Sequence, residues 1–235
     1  MLLPPGCFAS ETRIEELTQH GSADAAAGAM GLEIPTQLAR AVPKRRFEFL
    51  AGRLCARRAL QQAGYALDAT VAIGERRAPV WPTGFVGSIT HGHGTAWAVV
   101  AAQADYRGIG IDVEELVGPA SARRLSATVL RPAERVRALS AGLAEEPFLT
   151  LVFSAKESLF KCLQPVTLAR IGFQDAEVVY LDRAASRLRL ALRAAISAEF
   201  QPGTEFDIGF ELGSHVRTAV FLPGRPGHLL RCIAG

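Results

Sequence analysis

Apolar side chains that recur with a helical period predict two long helices in this chain. The first begins at Pro43 and ends near residue 63, because proline suits the first turn of a helix and Gly64 suits the position just past its end. The second begins at Pro147 and ends near Leu163. One face of the second helix is apolar and consists of Leu149, Val152, Phe153, Leu159, Phe160 and Leu163.

Shorter segments rich in β-branched and alternating residues predict strands, separated by glycine and proline turns. Residues 1–41 have a weaker pattern that predicts loops and short elements, and residues 119–142 predict short helices. The order of a helix followed by strands occurs twice, which predicts an α+β fold. The predicted strands are Ala69–Ile73, Phe85–Thr90, Ala96–Ala102, Gly108–Val113, Glu177–Leu181, Leu188–Leu192, Phe206–Glu211 and Val216–Leu222.

The composition is that of a globular protein in a reducing compartment. Of 235 residues, 49% are hydrophobic and 21% charged, which excludes a disordered chain. No apolar run approaches the ~20 residues that span a bilayer, and the first residues lack the pattern of a signal peptide, so we expect a cytoplasmic protein without membrane contact. The cysteines have no paired spacing, which disfavours zinc and a disulfide framework. They are Cys7, Cys55, Cys162 and Cys232.

Acidic residues on a predicted strand and on the second helix are candidate metal ligands. Asp112 and Glu114 are two residues apart, so their side chains point to the same side of a strand, and two such carboxylates favour Mg²⁺ between them. A strand that ends in a solvated acidic loop fits the same residues. Glu157 lies at the edge of the apolar helix face, where a surface pair with Lys161 one turn later is the alternative.

Lys156 lies near the middle of that apolar face. A buried, unpaired ammonium is costly, so the side chain must either extend to solvent or be held by an anion. Its position predicts a bound anion better than a solvated helix face does.

Basic residues are concentrated on the first helix. Six lie between Lys44 and Arg58, against the single acid Glu48, and Arg46, Arg53 and Arg57 share one sector of the helix. Arginine forks match phosphate oxygens, so this stripe predicts a phosphate site, although an arginine-rich surface helix has the same pattern. The net charge of +3 and the lack of a groove-reading motif disfavour nucleic acid.

Two further segments extend the predicted anion site. Arg76 and Arg77 precede a proline turn, and Thr90 and His91 lie at a glycine-rich turn that lets backbone N–H groups approach a phosphate. No Ser/His/Asp order or nucleophile elbow accompanies them, which disfavours acyl-enzyme chemistry.

Five segments together resemble the Sfp-type 4′-phosphopantetheinyl transferases, nearest to the enterobactin-type and pseudomonad broad-range branch. The pattern Asp-x-Glu followed some forty residues later by Lys-Glu-x-x-x-Lys is the specific part, and Phe153 stands where many members have tryptophan. The segments are Arg45–Arg53, Arg77–Pro82, Gly87–His91, Gly110–Glu114 and Phe153–Lys161.

The resemblance implies a monomer of two pseudo-symmetric α+β halves, each with a helix packed on a small, mainly antiparallel sheet. Residues 1–107 would form the half with the arginine helix, and residues 108–235 the half with the metal site. Coenzyme A would bind in the cleft between them. The implied reaction moves 4′-phosphopantetheine from coenzyme A to a serine of an apo acyl or peptidyl carrier protein and releases 3′,5′-ADP.

The resemblance also assigns roles to the candidate residues. Asp112, Glu114 and Glu157 would hold Mg²⁺, or Mn²⁺, and Glu157 or a metal-bound water that it orients would remove the serine proton. Lys161 would stabilise charge that grows on the pyrophosphate, and Lys156 would meet a phosphate or a metal-site carboxylate. The remaining assignments give the 3′-phosphate to Arg53 with Arg45 or Arg46, the adenine side to Arg76 and Arg77, and a phosphate to Thr90 and His91.

Other functions fit part of the pattern. A metal-dependent phosphatase or nuclease also needs clustered acids beside a basic stripe, and a non-catalytic module for nucleotides or acidic partners needs only the stripe. Exposed apolar residues within 119–142 are our candidate for carrier docking. The sequence leaves open whether the carrier serves fatty acid, polyketide, nonribosomal peptide or siderophore synthesis.

Overall fold

The computed structural model describes residues 2–66, 70–74, 77–140 and 142–225. The predicted strand Ala69–Ile73 lies partly, and Arg76 and Cys232 lie wholly, outside these residues. The helices are α1 (Ile14–Thr18), α2 (Ala23–Ala29), α3 (Pro43–Gln62), α4 (Pro119–Val129), α5 (Pro132–Ser140) and α6 (Glu145–Thr167). The strands are β1 (Cys7–Arg13), β2 (Ala72–Ile73), β3 (Pro79–Val80), β4 (Phe85–Gly92), β5 (Thr95–Ala102), β6 (Tyr106–Glu115), β7 (Ala176–Asp182), β8 (Arg187–Leu192), β9 (Glu205–Leu212) and β10 (His215–Pro223).

The strands form two main antiparallel sheets, each covered by one long helix. The first sheet has the order β1-β5-β4 and carries α3, and the second has the order β6-β10-β9-β8-β7 and carries α6. Strands β4 and β6 lie side by side and join the two layers. The predicted α+β fold with a helix on each sheet is therefore confirmed, with sheets of unequal size.

Each long helix buries the face that its sequence predicts. Leu50 and Leu60 of α3 are fully buried against the first sheet, and Leu149 and Leu159 of α6 are fully buried against the second. Burying such a side chain contributes roughly 1.5–3 kcal/mol. Among the helices that the structure describes, none combines the length and apolarity needed to cross a bilayer.

The N-terminal region contains an element that the sequence pattern does not predict. Residues 1–41 were expected to form loops and short elements, whereas β1 pairs with β5 over seven residues. The segment of β1 has few β-branched residues, so its pairing partner rather than its own propensity places it in the sheet.

Glycines in β6 allow the backbone of α6 to touch the strand that carries the acidic pair. A Cβ atom on Gly110 would lie 1.8 Å from the carbonyl oxygen of Ser158, and one on Gly108 would lie 2.6 Å from that of Cys162. This close approach sets the distance between Asp112 on the strand and Glu157 on the helix. Glycine at these positions therefore shapes the candidate site.

We expect Gly110→Ala to destabilise the protein by about 1–3 kcal/mol or more, because backbone atoms of α6 must move away from the strand. Urea unfolding measures this loss. Gly118→Ala is the matched control, since a Cβ there meets nothing within 4 Å and its φ of −74° suits any residue. Equal stability of the Gly110 and Gly118 variants would contradict the packing argument.

Candidate active site

The acidic pair lies at the end of β6, next to α6. Asp112 is 2% exposed. Its Oδ1 accepts hydrogen bonds from Lys161 Nζ at 2.7 Å and from Thr90 Oγ1 at 3.2 Å. Its Oδ2 is buried and has no hydrogen-bond partner among the residues described. An unsatisfied carboxylate oxygen at this depth is costly, so the site favours an additional cation or donor.

Burial and neighbouring carboxylates raise the proton affinity of Glu114 and Glu157 at this point. Burial, and then the charge of Asp112, raises the pKa of Glu114 to about 7, while Lys161 opposes the shift. Burial also raises the pKa of Glu157, with Lys161 lowering it and Asp112 raising it. The structure thus brings the three predicted metal ligands close enough for their charges to interact.

The carboxylates do not form a closed metal cage as they stand. Within the described ranges, no three His, Cys, Asp or Glu side chains are arranged to surround an ion. The Lys161 ammonium lies 2.7 Å from Asp112 Oδ1 and neutralises part of the negative charge of the cluster. Mg²⁺ is usually held by one or two carboxylates together with water and substrate phosphates, so this donor set fits Mg²⁺ once Lys161 turns to a phosphate.

The raised pKa of Glu114 predicts pH-dependent cation binding. A metal ligand must be ionised, so a carboxyl with a pKa of about 7 binds Mg²⁺ more tightly as the pH rises through that value and releases a proton on binding. Calorimetry from about pH 6 to 8 in two buffers of different ionisation enthalpy measures both effects. Constant affinity without proton release would contradict the prediction.

A cavity of about 460 Å³ opens between α3, the β2–β3 hairpin and β4. Arg45, Arg53, Arg77 and His91 all line it. Its size lies within the range of small-molecule sites. The predicted anion-binding residues Arg45, Arg53, Arg77 and His91 therefore converge on this cavity, whereas Arg46 does not line it.

Arg53 is the deepest cation of this cavity, at 7% exposure. Its guanidinium lies over the Phe49 ring, 4.6 Å from the centroid, and its Nε has no partner in the described part of the chain. Burial, reinforced by the charge of Arg45, lowers the pKa of Arg53 to about 10. A buried cation that lines a cavity favours an anionic ligand.

Neighbouring residues of β4 link the cavity to the acidic pair. Since adjacent side chains of a strand point to opposite faces, Thr90 contacts Asp112 while His91 turns to the cavity. The Nε2 atom of His91 lies 2.5 Å from Arg45 Nη1. Burial lowers the pKa of His91. Asp112 and Lys161 are near enough for their charges to act on His91.

The predicted role of Lys156 is wrong. Its side chain is fully buried, and Nζ donates to Glu134 Oε2 and to the carbonyl oxygen of Val129, each at 2.8 Å. Glu134 is also fully buried and accepts from the backbone N–H groups of Arg131 and Val178. Lys156 therefore joins α6 to α5 and β7 within the core, and contacts neither a metal-site carboxylate nor the cavity.

The arginine stripe of α3 is divided between two neighbourhoods. Arg46 pairs with Asp24 at 2.5 Å, and Arg57 Nη2 donates to the carbonyl oxygen of Met30 at 2.7 Å. Helix α2 and the residues after it therefore occupy the side of the stripe that was expected to hold phosphate. Of the two alternatives for the 3′-phosphate, Arg45 lines the cavity and Arg46 does not.

The cavity is lined by cations that suit a phosphorylated ligand, and His91 at its wall is close enough to Asp112 for their charges to interact. Comparison with known sequences gives the family. Residues 34–101 match the family model for the 4′-phosphopantetheinyl transferase N-terminal domain, and residues 108–218 match that for the 4′-phosphopantetheinyl transferase superfamily. The chain belongs to this superfamily, and the resemblance seen in its motifs is confirmed.

Individual relatives agree with the family models. The chain is 46% identical to enterobactin synthase component D of Escherichia coli K12 over 143 residues, which are 61% of this chain and 66% of that protein. It is 41% identical to the 4′-phosphopantetheinyl transferase Svp of Streptomyces mobaraensis over 167 residues, 69% of this chain and 67% of that protein. Thermotoga maritima holo-(acyl-carrier-protein) synthase superposes with a TM-score of 0.39 and 21% identity over 50% of this chain and 64% of that one.

Proposed function

We propose that the protein transfers 4′-phosphopantetheine from coenzyme A to a serine of an apo carrier protein. The observation that carries this proposal is the cavity lined by Arg45, Arg53 and Arg77, together with His91 at its wall, on which the charge of Asp112 acts. One relative is named as a 4′-phosphopantetheinyl transferase and another as a synthase component, which supports the same reaction class.

In the proposed complex the nucleotide end of coenzyme A occupies the cavity. Arg45 and Arg53 bind the 3′-phosphate through paired N–H donors, and Arg77 lies at the adenine side. His91 contacts a phosphate at the inner end of the cavity. This order places the pyrophosphate near Lys161, which is 31% exposed and reaches both Thr90 and Asp112.

Asp112, Glu114 and Glu157 would hold the divalent cation. Mg²⁺, or Mn²⁺ with the same oxygen ligands, would supply charge neutralisation to the pyrophosphate. Two observations support this assignment. Among the described residues, Asp112 Oδ2 has no hydrogen-bond partner, and the pKa values of Glu114 and Glu157 are raised.

The chain's own residues then move one proton and stabilise one leaving group. Glu157 removes the proton of the carrier serine, and its raised pKa makes it a stronger base than an exposed carboxylate. The serine oxygen forms a bond to the phosphorus that carries pantetheine. The bond from that phosphorus to the oxygen of 3′,5′-ADP breaks, and Lys161 stabilises the charge that develops there.

Carrier docking is proposed at the outer surface of α4 and α5. Leu116 is 38% and Val136 67% exposed, and they are accompanied by exposed Arg123, Arg124 and Arg135. The carriers of this family have acidic helices, so the exposed arginines of α4 and α5 suit them in charge. Reversal of the charges at Arg124 and Arg135 should raise the KM for the carrier and leave the KM for coenzyme A unchanged.

We also propose that the two halves meet near residue 107 and that the protein acts as a monomer. The family models end at residue 101 and begin again at residue 108, which supports this boundary. Light scattering of the purified protein tests the monomer.

Release of 3′,5′-ADP tests the proposed reaction against its rivals. We expect release only when an apo carrier is present, whereas a phosphatase or nuclease would hydrolyse phosphoesters without one. Arg53→Ala should raise the KM for coenzyme A at least about tenfold, since a charge-assisted bond contributes about 1.5–3 kcal/mol. Arg46→Ala is the control, because Arg46 pairs with Asp24 outside the cavity. Equal effects of the two substitutions on the KM would show that the cavity does not bind coenzyme A.

A further inference from the structure

Glu48 is an acid among the cations of the cavity. It is the only acidic residue between Lys44 and Arg58, and it lines the same cavity as Arg45 and Arg53. Its side chain is 14% exposed. A carboxylate in this position repels a phosphate, so its presence in an anion site needs another function that offsets the repulsion.

The contacts of Glu48 indicate that function. Its Oε2 lies 3.4 Å from Arg45 Nη1 and 3.7 Å from His91 Nδ1. The other ring nitrogen of His91, Nε2, lies 2.5 Å from Arg45 Nη1. Three charged or titratable side chains from α3 and β4 therefore form a closed set in which each contacts the other two.

The chemistry of arginine determines the tautomer of this histidine. A guanidinium group has only donors, so Nε2 of His91 must accept the bond from Arg45. A neutral imidazole that accepts at Nε2 carries its proton on Nδ1, and Nδ1 faces Glu48. The carboxylate, with Oε2 3.7 Å from Nδ1, is too far for a hydrogen bond, and it favours this tautomer through the attraction of its charge for the Nδ1–H group.

We propose that Glu48 is a positioning residue that fixes the Nδ1–H tautomer of His91 and prearranges Arg45 for the ligand's phosphate. This inference rests on the proposed function, since the ligand is coenzyme A. Other charges that act on His91 come from Asp112 of β6 and Lys161 of α6, so within the described ranges Glu48 is the one negative charge that acts on the ring from the α3 side. Arg45 has five N–H donors, so when the phosphate binds it can keep one on Nε2 of His91 and turn another to the phosphate.

The kinetic test separates positioning from folding. We expect Glu48→Ala to raise the KM for coenzyme A about tenfold and to change kcat less than about twofold, in line with the 10–100-fold cost of removing a carboxylate that orients a histidine. Glu48→Gln keeps an acceptor oxygen and should recover most of the affinity. Glu199→Gln, which alters an ion pair with Arg107 elsewhere, is the control and should leave both parameters unchanged.

The direct test is the tautomer itself, read from nitrogen-15 chemical shifts of His91 in the full protein without coenzyme A. The proposal expects the Nδ1–H form in the wild type and in Glu48→Gln, and a mixture of tautomers in Glu48→Ala. The Nε2–H form in the wild type, or an unchanged KM in Glu48→Ala, would overturn it. Failure of the wild type to bind coenzyme A would refute the proposed function, while the tautomer measurement would still decide the role of Glu48.

Discussion

Replacing Lys156 by methionine is expected to lower the free energy of unfolding by about 3–5 kcal/mol, because it leaves the Glu134 carboxylate buried without its cation. Both side chains are 0% exposed and their charged atoms lie 2.8 Å apart. In a chain of this size such a loss corresponds to a melting temperature roughly 6–20 °C lower. Thermal and urea unfolding measure the change.

Two variants show whether the lost ion pair is the cause. Arg189→Met removes exposed pairs with Glu205 and Asp207 and should cost less than about 1 kcal/mol. Glu134→Gln in the Lys156→Met background removes the orphaned charge and should recover part of the stability. A Lys156→Met protein as stable as the Arg189 variant would show that the buried pair contributes little.

Asp112→Asn and Glu157→Gln are each expected to reduce turnover at least about 100-fold while the protein stays folded. Both substitutions remove a negative charge that would hold the cation, and several kcal/mol of charge stabilisation corresponds to a factor of this size. Lys161 loses its ion-pair partner in Asp112→Asn, but it keeps hydrogen bonds to Thr90 Oγ1 and to the carbonyl oxygen of Ile111 and is 31% exposed. Steady-state kinetics and circular dichroism measure turnover and folding.

Glu115→Gln is the matched control for these variants. Glu115 follows Glu114 directly but its side chain is 71% exposed, and it contacts His93 rather than the acidic pair. We expect wild-type turnover from it. Full activity of Asp112→Asn would remove that residue from the proposed metal site, and the same holds for Glu157→Gln.

The long helices were predictable because their signals are local. The apolar period and terminal residues of α3 predict a helix from 43 to 63, and the structure has Pro43–Gln62. Helix α6 begins two residues before Pro147, since a proline in the first turn needs no N–H donor, and it ends at Thr167. Strand β1 was not predictable in this way, because its pairing with β5 depends on residues about 90 positions away.

The candidate site was predictable as far as its residues share an element. Spacing on β6 and α6 places Asp112 with Glu114 and Glu157 with Lys161, and the structure brings the two pairs together. The partner of Lys156 was not predictable, because Glu134 lies 22 residues away on a short helix with a weak pattern. A helical wheel likewise gives the direction of Arg46 but not the neighbour, Asp24, that meets it.

Glu48 is a further residue whose contacts could not be predicted from the sequence. The sequence shows it as one acid in a basic stripe, which gives no reason to include it in a phosphate site. Only the closed set with Arg45 and His91 reveals its contacts, since His91 comes from a different element.

The mass of a carrier protein after incubation is the direct test of the proposed transfer of 4′-phosphopantetheine. Purified protein, coenzyme A, Mg²⁺ and an apo carrier are incubated, and the intact carrier is measured by mass spectrometry. We expect a mass increase of one phosphopantetheine group, located on a serine and absent when that serine is replaced by alanine. An unmodified carrier across acyl, peptidyl and siderophore carriers, with coenzyme A intact, would contradict it.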